Sequence, residues 1–309
     1  MTNKQIIFKF WIFAYLLICL LPQKVWAQTI SLSIWPPLLE VQMIPGKSVI
    51  QNYQLANNTD SFLEITPIIA LFEPDGENGQ IEILPAEKRT YDSSPYFFSF
   101  TTNEKFNEAF TLNPRETRQL SLKIALPKNN AEKDYYFTLL FSSAASREGQ
   151  KNQTASVTQI GTNILLTASR AEKPPLLGRI YKFSAPTVID SFSPVDFTLV
   201  LENFGRTFFK PFGQITASGM LKQKGEIKLL EQNILAGSKR KLTLPAYRPN
   251  LPIGPFKAKL EFSLNEEGAL PVLSTQISFW YLPYKLIILS AGAFLLLKIF
   301  KKINKNARK

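Results

Sequence analysis

The chain has no histidine and one cysteine in 309 residues. Without histidine there is no Ser-His or Cys-His pair, and the commonest metal ligand is missing. Cys19 sits inside an apolar N-terminal run, so the rest of the chain has no thiol for disulfide or thiolate chemistry. Ile18 before it is not the small residue that a lipidation site asks for. Acidic residues are absent from both ends: none occurs in 1–27 or in 285–309. A long amphipathic helical pattern is also lacking.

Those missing acids explain the charge. The net +12 suggests nucleic acid, but three Lys in 1–27 and seven Lys or Arg in 285–309 account for most of it. Residues 28–284 hold the other 26 basic residues against 24 acidic ones, a net of +2. A near-neutral central region does not support phosphate neutralisation along a basic face, so no nucleic-acid partner is expected.

The two ends read as membrane addresses. Lys4 and Lys9 precede an apolar run, Phe10–Leu21, and Val25-Trp26-Ala27 gives a small-x-small site before Gln28. The pattern predicts a signal peptide over 1–27. A second apolar run over 284–300 predicts a transmembrane helix, about 25 Å at roughly 1.5 Å per residue. Trp280, Tyr281 and Tyr284 are expected in an interfacial aromatic belt, and Lys285 and Lys298 are expected to snorkel. Lys301 and Lys302 open a basic tail, 301–309, that predicts a cytoplasmic C-terminus by the positive-inside rule. The expected location is a single-pass cell membrane protein, held to lipid by its helix, with its ectodomain outside the cytoplasm.

Between the ends the chain reads as β structure. It is rich in Phe and Pro, with 24 and 21 residues. Leu120, Leu122, Ile124 and Leu126 alternate with Gln119, Ser121, Lys123 and Ala125. Phe256, Ala258, Leu260, Phe262 and Leu264 do the same, as do Phe197, Leu199 and Leu201. A period of two places one set on a core and the other in solvent. Turn signals such as Pro36-Pro37, Pro45-Gly46, Asp75-Gly76 and Gly237-Ser238 separate many short strands. The reading is all-β: two immunoglobulin-like antiparallel β-sandwich domains, 28–172 and 176–280, joined at Ala171–Pro175. The halves echo one another, with Leu55-Ala56-Asn57 matched by Leu201-Glu202-Asn203.

Candidate sites have plain alternatives. Glu73-Pro74-Asp75-Gly76-Glu77-Asn78-Gly79 gathers oxygen ligands for calcium, but its spacing is that of a hairpin turn. The Ser-rich stretch 142–156 reads as a recognition loop or a hairpin tip. Lys239-Arg240-Lys241 reads as a solvated edge strand protected by charge, or as a contact for anionic wall polymer. Phe208-Phe209 and Tyr96-Phe97-Phe98 read as one residue in and one out, or as sugar platforms. Paired carboxylates are the only plausible catalytic chemistry, and Glu266-Glu267 lies in a turn, not a cleft.

Leu38-Leu39-Glu40-Val41 with Ile44-Pro45-Gly46-Lys47-Ser48 resembles the opening of the bacterial WxL-interacting surface proteins. Leu112-x-Pro114, Leu120-x-Leu122, Leu126-Pro127 and Tyr135-Tyr136 are similar to later strands of their first domain. Asn203-x-Gly205, Pro211-x-Gly213-x-Ile215 and Trp280-x-x-Pro283 are similar to their membrane-proximal part. The resemblance implies immunoglobulin-like domains, a C-terminal anchor, and peptidoglycan or surface-protein partners. It implies no ligand residue, since the motifs are structural.

The expected function is therefore non-catalytic: surface binding of a protein or a cell-wall polymer, with no cofactor and no metal. Two alternatives stand beside it. One is a pilus-chaperone-like assembly factor that lends an edge strand to a client. The other is a carboxylate-dependent carbohydrate-active enzyme.

Overall fold

The computed structural model describes residues 31–84, 97–145, 157–265 and 272–306. The region read as a signal peptide, most of the Ser-rich stretch, Tyr96 and Glu266-Glu267 lie outside them. Among the described residues the chain is all-β apart from one C-terminal helix and a short 3-10 turn at Met220–Lys222.

The first sandwich is built from β1 (Leu32–Trp35), β2 (Leu38–Met43), β3 (Ser48–Asn57), β4 (Leu63–Asp75), β5 (Gln80–Ile83), β6 (Phe98–Phe100), β7 (Phe110–Leu112), β8 (Thr117–Ala125), β9 (Asp134–Ala145) and β10 (Val157–Ala168). One sheet runs β1-β3-β8-β6, and the other runs β2-β10-β9-β4-β5 with β7 also on β4. The alternation read in the sequence is what closes them. Leu120, Leu122 and Ile124 of β8 have no exposed surface and face Phe137, Leu139 and Phe141 of β9 in one core.

The second sandwich is built from β11 (Gly178–Ser184), β12 (Val188–Asp190), β13 (Thr198–Asn203), β14 (Phe212–Ser218), β15 (Lys224–Lys228), β16 (Lys239–Lys241), β17 (Gly254–Ser263) and β18 (Leu273–Leu282). Its sheets are β11-β13-β16 and β12-β18-β17-β14-β15. Phe256, Leu260 and Phe262 of β17 pack on Phe279 and Tyr281 of β18.

Both sandwiches divide their opening stretch between two sheets. β1 pairs antiparallel with β3, then the chain crosses at Pro36-Pro37 and β2 pairs parallel with β10. In the second half β11 pairs antiparallel with β13, the chain crosses at Pro186, and β12 pairs parallel with β18. The sheets are thus mixed, where antiparallel ones were expected. Proline lacks the N–H that would keep it on a ladder, and each crossing occurs there.

The echoing asparagines do one job twice. The Asn57 amide donates to the carbonyls of Ser61 (2.8 Å) and Asn113 (2.9 Å), and its oxygen accepts from the Thr59 N–H. The Asn203 amide donates to Thr207 and Ile234 carbonyls, both at 2.9 Å, and its oxygen accepts from the Gly205 N–H. Each side chain is buried and ties a strand end to two separate loops.

The anchor reading is overturned. Among the described residues no helix is long and apolar enough to cross a membrane. The helix α1 (Tyr284–Asn306) is 23 residues long because the lysine-rich tail joins it. Every 18-residue stretch of it therefore holds at least three lysines. The uninterrupted run between Lys285 and Lys298 is 12 residues, about 18 Å at 1.5 Å each, well under a ~30 Å hydrocarbon core. Single-pass membrane anchoring is withdrawn with it. Tyr281 belongs to the second core and not to an interfacial belt: β18 alternates, so Phe279 and Tyr281 face in while Trp280 faces out.

Asn203→Ala leaves two inward carbonyls without a donor, and the expected cost is about 2–3 kcal/mol. A urea titration of the variant, followed by tryptophan fluorescence, checks this, and Asn57→Ala is expected to lose a similar amount.

Candidate functional site

Two features dominate the surface that remains: a junction between the sandwiches and two strand edges left without a partner. The junction is small in apolar terms. Phe72, Leu165 and Leu235 are buried there, flanked by Ile81, Tyr136 and Phe208. Phe72 and Tyr136 stack at 5.7 Å between ring centroids.

Polar contacts organise the rest of the junction around Asp134, at the start of β9. Its backbone N–H donates to the Arg206 carbonyl (3.0 Å). Its carboxylate accepts from the Thr167 hydroxyl (2.7 Å), the Tyr136 hydroxyl (2.8 Å) and the Phe208 N–H (2.5 Å). Tyr136 in turn accepts from the Ala236 N–H (2.8 Å). Burial pushes the Asp134 carboxyl above its ordinary range, and the three donors pull the other way. Burial also pushes the Tyr136 hydroxyl up, with the Asp134 charge adding to it. Glu40 of β2 bridges as well, to Lys210 (2.7 Å) and to the Asn233 amide (2.6 Å).

The β4–β5 hairpin reaches across the same junction. Its tip turns through Gly76 and Gly79, both at positive φ. The Glu77 carbonyl accepts from the Lys241 N–H at 2.6 Å. The Arg240 guanidinium lies against Gly79 so closely that a methyl group there would sit 2.7 Å from it. Arg240 also donates to the Asn233 carbonyl (2.6 Å). The Glu73–Gly79 stretch is thus a hairpin tip docked on the second sandwich. Among the described residues no three of His, Cys, Asp or Glu gather to hold a metal. Lys239–Lys241 is an edge strand, but not a freely solvated one. Lys239 lies 3.6 Å from the Tyr181 ring centre, and Lys241 is bonded to the hairpin.

A groove of about 240 Å³ lies beneath the hairpin, lined by Leu38, Phe72, Ile81, Leu165, Leu235 and Arg240 among others. A larger cavity of about 810 Å³ opens beside Asp134, lined in part by Glu73, Glu132, Arg170 and Arg206. Two of its acids are engaged structurally. Glu132 accepts from the Arg170 N–H (3.0 Å) and pairs with the Arg170 guanidinium (2.6 Å), and those bonds hold its carboxyl below the usual range. Asp134 is tied to three donors. Neither is poised as a hydrolytic acid or base.

The open edges come from the two crossings. β10 pairs with β9 over Val157–Thr167 but with β2 only from Asn163 on. Among the described residues no strand covers the outer side of Val157–Thr162. The Asn163 N–H points to that side, toward the Pro37 carbonyl (3.3 Å). By alternation the N–H and C=O of Val157, Gln159 and Gly161 also point there. Ile160 faces the core and is only partly buried. β18 repeats the arrangement: β17 covers it over Leu273–Tyr281, and β12 covers its other side only from Trp280.

The residues expected at a membrane interface lie at the end of β18 and along α1. Trp280 and Tyr284 are partly exposed at the base of α1, and Lys285, Lys298 and Lys301 lie exposed along it. Lys302 falls on the same helix. The Lys285 N–H donates to Asp190 (3.1 Å), which also accepts from Phe192 (3.0 Å), so α1 is capped by the second sandwich. Sequence reading missed Asp134, whose only signal is an acid opening an otherwise aromatic strand.

No protein-family model matches the chain, and no curated protein does. Among solved structures it is similar to the Salmonella enterica SafA pilin in complex with the SafB chaperone, at 10% identity and TM-score 0.40, covering 81% of this chain and 98% of that one. It is similar to the E. coli chaperone DraB at 12% identity and TM-score 0.37, covering 81% and 97%. It is similar to the Pseudomonas aeruginosa CupB2 chaperone at 9% identity and TM-score 0.36, covering 80% and 100%. At this level of likeness nothing about function passes from those proteins to this chain.

The raised Asp134 carboxyl sets a direction for pH. The folded chain holds that proton to higher pH than the unfolded chain does. The group's contribution is complete below the unfolded value, about 3.9, and is lost as pH rises through the folded value. Asp134→Asn removes the titration. Thermal melts of both proteins are expected to favour the variant more at pH 7 than at pH 4. For the hairpin, Gly79→Ala is expected to push the tip off Arg240. Hydrogen exchange at the Lys241 amide should then quicken at least tenfold while the Leu122 amide is unchanged.

Proposed function

We propose that this chain is an assembly factor of two immunoglobulin-like domains, 28–172 and 176–280, that holds an extended segment of another protein by strand addition. The single observation that carries the reading is the uncovered edge of β10. Along the six-residue stretch Val157–Thr162, about 20 Å long, Val157, Gln159 and Gly161 offer outward N–H and C=O groups, enough for a strand of ordinary length.

Natural sheets blunt such edges with lysine, proline or bulges. Val157-Thr158-Gln159-Ile160-Gly161-Thr162 has none of these. The other edges do. β11 carries Arg179, Lys182 and a register shift between Ile180 and Lys182. β15 begins and ends in lysine. β16 is closed by the β4–β5 hairpin. An incoming strand would place alternate side chains beside Ile160, in the seam where Leu32 and Ile34 of β1 are also only partly buried. Main-chain hydrogen bonds would supply affinity, and that seam would select apolar residues at every second position.

The edge also leads somewhere. Asn163 and Leu165, further along β10, line the groove at the junction. A segment held on Val157–Thr162 and continuing in line would meet the start of β2 at Leu38, which pairs with Asn163 and also lines that groove.

A photo-crosslinking amino acid at Gln159 tests this in the cells that make the protein. It is expected to capture a discrete client that the same group at Lys123, on the far sheet, does not. Gln159→Pro removes an N–H that β9 does not use, so the fold should persist while capture falls more than tenfold. Equal capture from both positions, or unchanged capture with the proline, overturns the reading.

A further inference from the structure

The second open edge can match itself. β12 stops one side of β18 at Trp280, which leaves Leu273-Ser274-Thr275-Gln276-Ile277-Ser278-Phe279 without a strand partner there among the described residues, with Thr187 at its far end. The Trp280 N–H points to that open side, donating to the Thr187 carbonyl at 2.8 Å. By alternation the N–H and C=O of Ser274, Gln276 and Ser278 point there too.

We infer that β18 pairs antiparallel with β18 of a second copy, with the two-fold axis at Gln276, joining two five-stranded sheets into one. The geometry points to that register for three reasons. First, a strand centred on Gln276 places Leu273 opposite Phe279, Ser274 opposite Ser278, and Thr275 opposite Ile277 of the other copy. The slot and its occupant then have the same length, about 23 Å. Second, Ser274, Gln276 and Ser278 all present outward hydrogen-bonding groups. All three therefore fall at hydrogen-bonded pairs, as an antiparallel ladder requires. Third, no residue of the seven is charged, so no like charges meet across the axis.

The side chains agree with the backbone. Leu273 and Ile277 face the seam between the sheets and are only partly buried. In the pair they would lie beside Phe279 and Thr275 of the other copy. Ser274, Gln276 and Ser278 remain on the wet outer face, where a row of small polar residues bridges the axis without steric conflict. Such an interface uses the same patch twice and closes at two copies. It lies on the second sandwich and uses no part of the β10 edge, so the two sites stand or fall separately.

Disulfide trapping in a Cys19→Ser background tests the register. Gln276→Cys is expected to give an oxidised dimer, because residues at a hydrogen-bonded pair have Cα atoms about 5.5 Å apart. Ser274→Cys alone is expected to stay monomeric, since its partner is position 278, while Ser274→Cys with Ser278→Cys is expected to crosslink. By sedimentation equilibrium the unmodified chain should dimerise at tens of micromolar. Gln276→Lys sets two ammonium groups on the axis and should weaken the dimer more than tenfold, whereas Gln159→Lys on β10 should not. A monomer at those concentrations overturns the inference. So does a dimer that survives Gln276→Lys, or crosslinking at Ser274→Cys as strong as at Gln276→Cys, because either places the contact elsewhere, α1 included.

Discussion

Prolines decide what each sandwich leaves uncovered. Pro36 and Pro37 have no N–H to offer a ladder, and the chain leaves one sheet for the other at that point. Pro186 marks the same crossing in the second half. An opening strand split in this way covers the last strand of its sandwich over only part of its length. β10 and β18 are left half-bare for that single reason. A continuous opening strand on either sheet would have closed the edge and removed the surface from which both binding readings are argued.

The junction then decides how those edges are presented. Among the described residues three are buried in its apolar cluster, against twenty and seventeen in the two cores. Apolar burial alone therefore gives the junction much less than either sandwich. Asp134, Glu40 and the β4–β5 hairpin make up the difference with directed polar contacts. A buried carboxylate with three donors is fixed in geometry, because losing any donor leaves charge poorly compensated in a low dielectric. Specific orientation, more than raw stability, is what such a network contributes.

Local pattern revealed the strands and concealed their surroundings. The alternation at Leu120–Leu126 and Phe256–Leu264 was legible because burial on one face imposes a period of two. The matched Asn57 and Asn203 were legible as strand ends, although their bonds to separate loops were not. The Asp75-Gly76 and Asn78-Gly79 pairs specified a turn but could not say that the turn rests on Arg240. Lys239-Arg240-Lys241 looked like a solvated edge for the same reason. Tyr281 was misplaced although its signal was present, since alternation from Phe279 already turned it inward. The terminal helix was misread by counting apolar residues without weighing where the lysines fall.

Charge guards some strand edges and leaves others bare. A chain with 36 basic and 24 acidic residues has ample means to guard every strand. It spends them on β11, β15 and β16, and on the acidic tip that covers β16. Val157–Thr162 and Leu273–Phe279 contain no charge, no proline and no bulge. Uncharged, half-apolar edges of six and seven residues would template aggregation in a protein that had no use for them. Two such edges, each produced by the same crossing, are what the two proposals have in common: one offers its edge to a foreign strand, the other to its own copy.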